Sequence, residues 1–178
     1  MVFEELAIPG VFKITSDHFS DIRGTVTKVF SEELFRAHGL PPSFAESFFS
    51  ISHKNVIRGM HFQTAPYICG KLVYISAGSV CDVVLDIRKE SPAFGQHVSL
   101  ELSYTNHTAI YIPEGCAHGF LSREDDTCTV YLQTKMRDVN AEAGIRFDSF
   151  GMDWGMSKPI ISERNAQLPT FEVYTQHV

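Results

Sequence analysis

The chain has 178 residues, enough for one domain with a sizeable buried core, and its 44% hydrophobic and 20% charged residues are the proportions of a globular protein. A net charge of −6 leaves no basic surplus to neutralise a nucleic-acid backbone, and no apolar run approaches the roughly 18 residues that suggest a membrane-spanning helix. The four cysteines, Cys69, Cys81, Cys116 and Cys128, form no CxxC pair and the N-terminus does not read as a secretory leader, so reduced thiols in a cytoplasmic protein are expected.

In chain order, Val11 to Thr15 alternates as a strand, Asp17 to Asp21 reads as a loop, and Arg23 to Phe30 returns to strand on its β-branched residues. Ser31 can cap a short helix running to about His38, with Gly39 as its stop and Pro41-Pro42 forbidding continuation. Short strands then follow at Ser47 to His53, Lys71 to Ser76, Val80 to Ile87, Gln96 to Leu102, Thr108 to Ile112 and Thr127 to Gln133. Ala77-Gly78-Ser79 reads as a hairpin turn, and Arg88 to Gly95 as a polar loop. This spacing, with Gly and Pro between strands, predicts an all-β antiparallel sandwich or barrel spanning residues 1–178 as a single domain. Beyond Asp138 the pattern weakens, and Trp154 with its apolar neighbours is expected to pack on the barrel through short helical turns.

The stretch Arg58-Gly59-Met60-His61-Phe62-Gln63 carries the densest chemistry. Strand alternation sends Met60 and Phe62 one way and Gly59, His61 and Gln63 the other, so His61 can line a cavity while Met60 fills the core. Gly59 permits close backbone approach. Arg58 needs an anionic partner if buried. Lys71 shares a face with Val73 and Ile75, which puts it either at a barrel rim or inside as a working cation. Asp82 shares a face with Val84 and Asp86 in an apolar strand and needs a partner there, a histidine or a lysine; Asp86 is set to pair with Arg88. Tyr131, on one face with Thr129 and Gln133, is either a core tyrosine or a proton donor to a cavity. Pro113-Glu114-Gly115-Cys116-Ala117-His118 has the PxGxxH form of a metal-cupin half-motif, but the other half, HxH, is here His61-Phe62-Gln63, so no metal site is expected.

Taken together, Phe19-Ser20-Asp21-Ile22-Arg23-Gly24, RGMHFQ at 58–63, Lys71-Leu72-Val73, DIRKESPAFG at 86–95, IPEGCAHGF at 112–120, Tyr131, Glu142-Ala143-Gly144-Ile145 and Ile161-Ser162-Glu163-Arg164 resemble, in order, the dTDP-4-dehydrorhamnose 3,5-epimerase family. The resemblance covers nearly the whole chain. It implies a cupin-type jelly roll with a few short helices in its N-terminal and C-terminal parts, a homodimer, and neither metal nor redox cofactor. It implies a nucleoside-diphosphate 4-keto-6-deoxyhexose as substrate, dTDP-linked, epimerised at C3, C5 or both. By the same resemblance His61 is the base, Tyr131 the acid and Lys71 the stabiliser of an enolate oxygen. Arg58 and His118 are expected to line the sugar pocket, and Arg23 with Phe19 to reach the nucleotide, Arg23 across a dimer. Glu46, Glu142, Arg164 and Asn165 complete the expected substrate contacts.

The chain departs from the family pattern at four places. Asn165 stands where a carboxylate pairs with the base, and its amide can orient an imidazole without a full opposing charge; Asp82 is a candidate to supply that charge. Lys28 and Glu46 replace a glutamate and a glutamine and bear on nucleoside contacts. Arg137 replaces an aromatic residue and bears on the choice of C3 or C5. The alternatives these departures open are a monofunctional epimerase on another nucleotide sugar and a sugar-nucleotide-binding cupin without turnover.

Overall fold

The computed structural model describes residues 1–176. Its elements run β1 (Val2–Glu5), β2 (Phe12–Thr15), β3 (Asp17–Asp21), β4 (Gly24–Lys28), α1 (Glu32–Ala37), β5 (Glu46–Ser52), β6 (Ile57–Gln63) and β7 (Lys71–Ala77). They continue with β8 (Ser79–Asp86), β9 (His97–Ser103), β10 (Thr108–Ile112), β11 (Cys116–Ser122), β12 (Thr127–Gln133), β13 (Glu142–Gly144), α2 (Glu163–Ala166) and α3 (Phe171–Thr175). One sheet has the strand order β1-β2-β10-β7-β12-β5, the other β13-β6-β11-β8-β9. Every pairing within them is antiparallel. This is the expected all-β jelly roll with short helices toward its two ends.

The alternation of the strands decides where the core lies. Val73 and Ile75 of β7, Val80 and Val84 of β8, Ile110 of β10, Phe120 of β11 and Tyr131 of β12 meet between the sheets. The opposite faces are also covered, which explains why β8 is apolar at nearly every position. Cys81, Val83 and Leu85 pack outward under a C-terminal blanket that includes Phe150 and Trp154. The Trp154 indole N–H donates to the Phe147 carbonyl at 2.9 Å, so the ring is buried without an unpaired donor. On the other sheet Leu72, Ala109 and Tyr111 are covered by Phe35 of α1 and by Leu40. Full burial of one such large apolar side chain contributes about 1.5–3 kcal/mol. With both outer faces sheathed, the space between the sheets is where polar side chains gather.

Two local expectations are corrected. Asp17–Asp21 is a strand, pairing with β4 in a separate two-stranded hairpin. Its Asp and Ser content suggested a loop because every one of its residues is solvent-exposed. Ala77-Gly78-Ser79 is a corner and not a hairpin: β7 and β8 belong to different sheets and do not pair. Gly78 makes that corner with φ 76°, and a Cβ there would lie 2.4 Å from the Thr127 Oγ1. β11, which carries His118, is the central strand joining β6 to β8. β1 and β13 are also additional to the expected strands.

Candidate active site

Between the sheets opens a cavity of about 780 Å³, within the range of small-molecule sites. One wall comes from β5, β7 and β12 through Glu46, Phe48, Ser50, Lys71, Tyr131 and Gln133. The other comes from β6, β11 and β13 through Arg58, His61, Gln63, His118 and Glu142, closed by Arg164 and Asn165 of α2. Of the expected site residues, nine therefore share this one cavity; Phe19 and Arg23 do not.

His61 reaches the cavity because Gly59, two residues before it, lets β6 press against β11. Gly59 has φ 141°, and a Cβ on it would sit 2.4 Å from the Gly119 Cα. The β6–β11 register shifts between His118 and Phe120, beside this contact. Met60 points away into the apolar layer under Trp154, as alternation demands. The imidazole Nε2 lies 2.9 Å from the Asn165 Oδ1. An amide oxygen only accepts, so Nε2 carries the proton and Nδ1 the lone pair of the neutral ring. Burial lowers the His61 pKa below the usual histidine value; the Asn165 bond opposes this, and the positive fields of Lys71, Arg164 and His118 add to the lowering. Burial and the nearby cations both bias the ring toward its neutral form. Asn165 itself is buried, and its backbone N–H is capped by the Ser162 hydroxyl at 3.2 Å.

Asp82 does not supply a charge to His61. It is fully buried, and its Oδ2 accepts from the His118 Nε2 at 2.8 Å. His118 is the direct cross-strand neighbour of His61. Alternation correctly sent Asp82 inward but could not choose between two adjacent histidines.

Lys71 is buried and stands inside the cavity, not at a rim. Among the described residues its ammonium has one hydrogen-bond acceptor, the His61 carbonyl at 3.3 Å. Two N–H donors are therefore left to the cavity. Burial lowers its pKa, while Cys69, Asp82 and Glu142 oppose that. Tyr131 stacks on Phe48 with ring centroids 4.7 Å apart and meets His118 edge to face at 6.1 Å. Burial raises its pKa, so the phenol stays protonated at neutral pH.

At the mouth, Arg58 donates to the Ser52 hydroxyl at 3.0 Å and to the Ile51 carbonyl at 3.1 Å, with no carboxylate partner among the described residues. Glu142 accepts from both Arg137 and Arg164, and the two guanidinium groups lower its pKa. Glu46 accepts the Arg137 backbone N–H at 2.8 Å. Gln63 lines the cavity, but its amide ties loops together: it donates to the Tyr67 carbonyl and accepts from the Asp138 N–H. Gln133 lines the cavity on the face it shares with Tyr131, and Phe48, which alternates with Ser50, is additional to the expected lining. Among the described residues no group of three or more His, Cys, Asp or Glu side chains is placed to hold a metal ion.

Phe19 and Arg23 sit on the β3–β4 hairpin, away from the cavity. Arg23 pairs with Asp21 at 2.6 Å with its side chain 83% exposed. Lys28 is on the same hairpin, opposite Asp17, and is also outside the cavity.

Residues 5–173 match the dTDP-4-dehydrorhamnose 3,5-epimerase family. A Salmonella typhimurium protein described as dTDP-4-dehydrorhamnose 3,5-epimerase is 36% identical over 176 residues, covering 97% of this chain and 96% of that one. A solved Mycobacterium tuberculosis epimerase superposes with a TM-score of 0.95 at 34% identity, covering 99% of this chain and 92% of the other. A Legionella pneumophila 3,5-epimerase, solved in complex with dTDP-4-keto-L-rhamnose, gives a TM-score of 0.92 at 30% identity, covering 97% and 93%.

Proposed function

This chain belongs to the dTDP-4-dehydrorhamnose 3,5-epimerase family, and from that premise we propose how its own residues invert a sugar carbon. The enzyme is an isomerase acting on a dTDP-linked 4-keto-6-deoxyhexose. Hydrogens on C3 and C5 are both α to the C4 ketone, so loss of either as a proton leaves its electron pair as an enolate. Nδ1 of His61 takes the proton. The ammonium of Lys71 neutralises the negative oxygen that develops at C4. Tyr131 gives its phenolic proton to the opposite face of the same carbon, and the configuration inverts. His61 is left as imidazolium and Tyr131 as phenolate; proton exchange with solvent restores both. His118, braced by Asp82, positions the sugar, and Asn165 fixes the tautomer of the base. Arg58, Arg164, Glu46 and Glu142 bind the substrate at the cavity mouth.

One observation carries this reading: His61 and Tyr131 line a single cavity from opposite sheets, with an under-coordinated buried ammonium in it. Base and acid on opposite walls are what inversion requires. The test is incubation with the dTDP-linked 4-keto sugar in deuterated water. Deuterium is expected at C3, C5 or both, read by mass spectrometry and NMR, and the position separates one epimerisation from two. No incorporation with dTDP-, CDP- or GDP-linked 4-keto sugars overturns the reading. Tight binding without incorporation identifies a binding cupin instead.

The enzyme works as a homodimer in which the hairpin carrying Phe19 and Arg23 serves the partner's cavity. Supporting this, β5 is an edge strand with Phe49 and Ile51 exposed, and the hairpin exposes Phe19, Ile22 and Val26. A cation such as Arg23 suits a diphosphate. Sedimentation of the wild-type chain as a monomer at micromolar concentration contradicts this arrangement. The free thiols of Cys69, Cys81, Cys116 and Cys128 fit a reducing cytoplasm.

A further inference from the structure

We propose that Arg137 is a specificity-determining residue that grips the β-phosphate of the substrate, the phosphate bonded to the sugar. The proposal rests on the nucleotide-sugar reading above and names a contact that reading leaves open.

Depth sorts the cations of the cavity. Lys71, Tyr131 and His118 are buried at the cavity floor, while Arg58, Arg137 and Arg164 are exposed at its mouth. In a pyranose, C1 lies across the ring from C4. A sugar that brings its C4 ketone to Lys71 therefore directs C1, and the phosphate on it, toward the mouth. The phosphate arrives among these three arginines.

They are not equally free. Arg58 has two of its nitrogens committed to Ser52 and to the Ile51 carbonyl. Arg164 spends one terminal nitrogen on Glu142 at 2.8 Å. Arg137 bonds Glu142 through Nε alone, and its two terminal nitrogens have no hydrogen-bond partner among the described residues. Its backbone is fixed as well, because its N–H donates to Glu46 at 2.8 Å. The result is a guanidinium anchored at Nε and at its own main chain, with its terminal fork open. That fork matches two non-bridging phosphate oxygens. Glu142 lets two guanidinium groups approach each other, and the Arg137–Glu142–Arg164 trio keeps a net positive charge for an anion. The side chain of Arg137 is half exposed, so replacing it removes little packing.

The experiment is titration calorimetry of wild type, Arg137→Ala and Arg137→Lys with thymidine diphosphate and with thymidine monophosphate, together with steady-state kinetics. A charge-assisted bidentate contact predicts that Arg137→Ala weakens the diphosphate by about 10- to 100-fold. The monophosphate, which lacks the β-phosphate, is expected to change by less than about threefold, within the scatter for a residue that does not touch it. KM should rise by the same factor as the diphosphate affinity falls, with kcat nearly unchanged, the pattern of lost uniform binding. Arg137→Lys should recover part of the loss. Unchanged diphosphate affinity, or equal weakening of both nucleotides with a lower Tm, overturns the proposal. Wild-type protein that binds neither nucleotide overturns it together with the nucleotide-sugar reading.

Discussion

His61 and His118 are cross-strand neighbours on β6 and β11, drawn into the same cavity by the same alternation, yet the protein equips them in opposite ways. His118 is nearly inaccessible and bonded to a fully buried carboxylate, Asp82. His61 is half-buried and bonded to a neutral amide, Asn165. The buried carboxylate holds the His118 ring in place; the amide holds the His61 ring and leaves its lone pair available. In the proposed mechanism this difference separates the histidine that positions the sugar from the one that abstracts a proton.

The largest break in this comparison is His61→Asn, which removes the proposed base while keeping a polar side chain. Turnover and solvent exchange should fall by about 1000-fold or more, at the upper part of the range for general base catalysis. An exchange rate near wild type would move the base elsewhere. Asp82→Ala strikes the other histidine. It leaves His118 buried without its acceptor and should cost about 3 kcal/mol of stability, a fall in Tm of roughly 6–12 °C by thermal unfolding. An unchanged Tm would mean the pair is not holding the cavity wall. Asn165→Ala leaves His61 in place without its orienting bond, and kcat should drop by roughly 100-fold with little change in KM.

The smallest effect is the most diagnostic of the two partners. Because burial lowers the His61 pKa, the neutral base persists below the usual histidine range, and the acidic limb of kcat/KM should lie below about pH 6.5. Asn165→Asp stabilises the imidazolium, so that limb should move to higher pH. A limb that stays put in the variant would show that residue 165 does not set the protonation of the base.

Much of this site was legible in the chain. Strand alternation allows His61 to face a cavity and sets Lys71 and Tyr131 on faces that can do the same, and Gly59 permits a close backbone crossing. Alternation fixes a face, however, and says nothing about which side chain waits opposite. That is why the sequence turns Asp82 inward without naming its partner and leaves Lys71 either at a rim or inside. The corner at Ala77-Gly78-Ser79 has the composition of a hairpin, and only the sheet assignment of the flanking strands separates the two. Phe19 and Arg23 lie on a hairpin that contributes nothing to the lining of this cavity, and strand alternation carries no signal for that separation.

The claim at the centre is that His61 and Tyr131 work on opposite faces of one carbon, and Tyr131→Phe in deuterated water tests it most directly. Without the phenol, His61 can still remove the proton and return a deuteron to the face it came from. Recovered substrate should therefore gain deuterium at C3 or C5 with its configuration retained, while epimerised product falls by about 100-fold or more. Inverted product at close to the wild-type rate, or complete loss of exchange in a folded variant, would contradict the account.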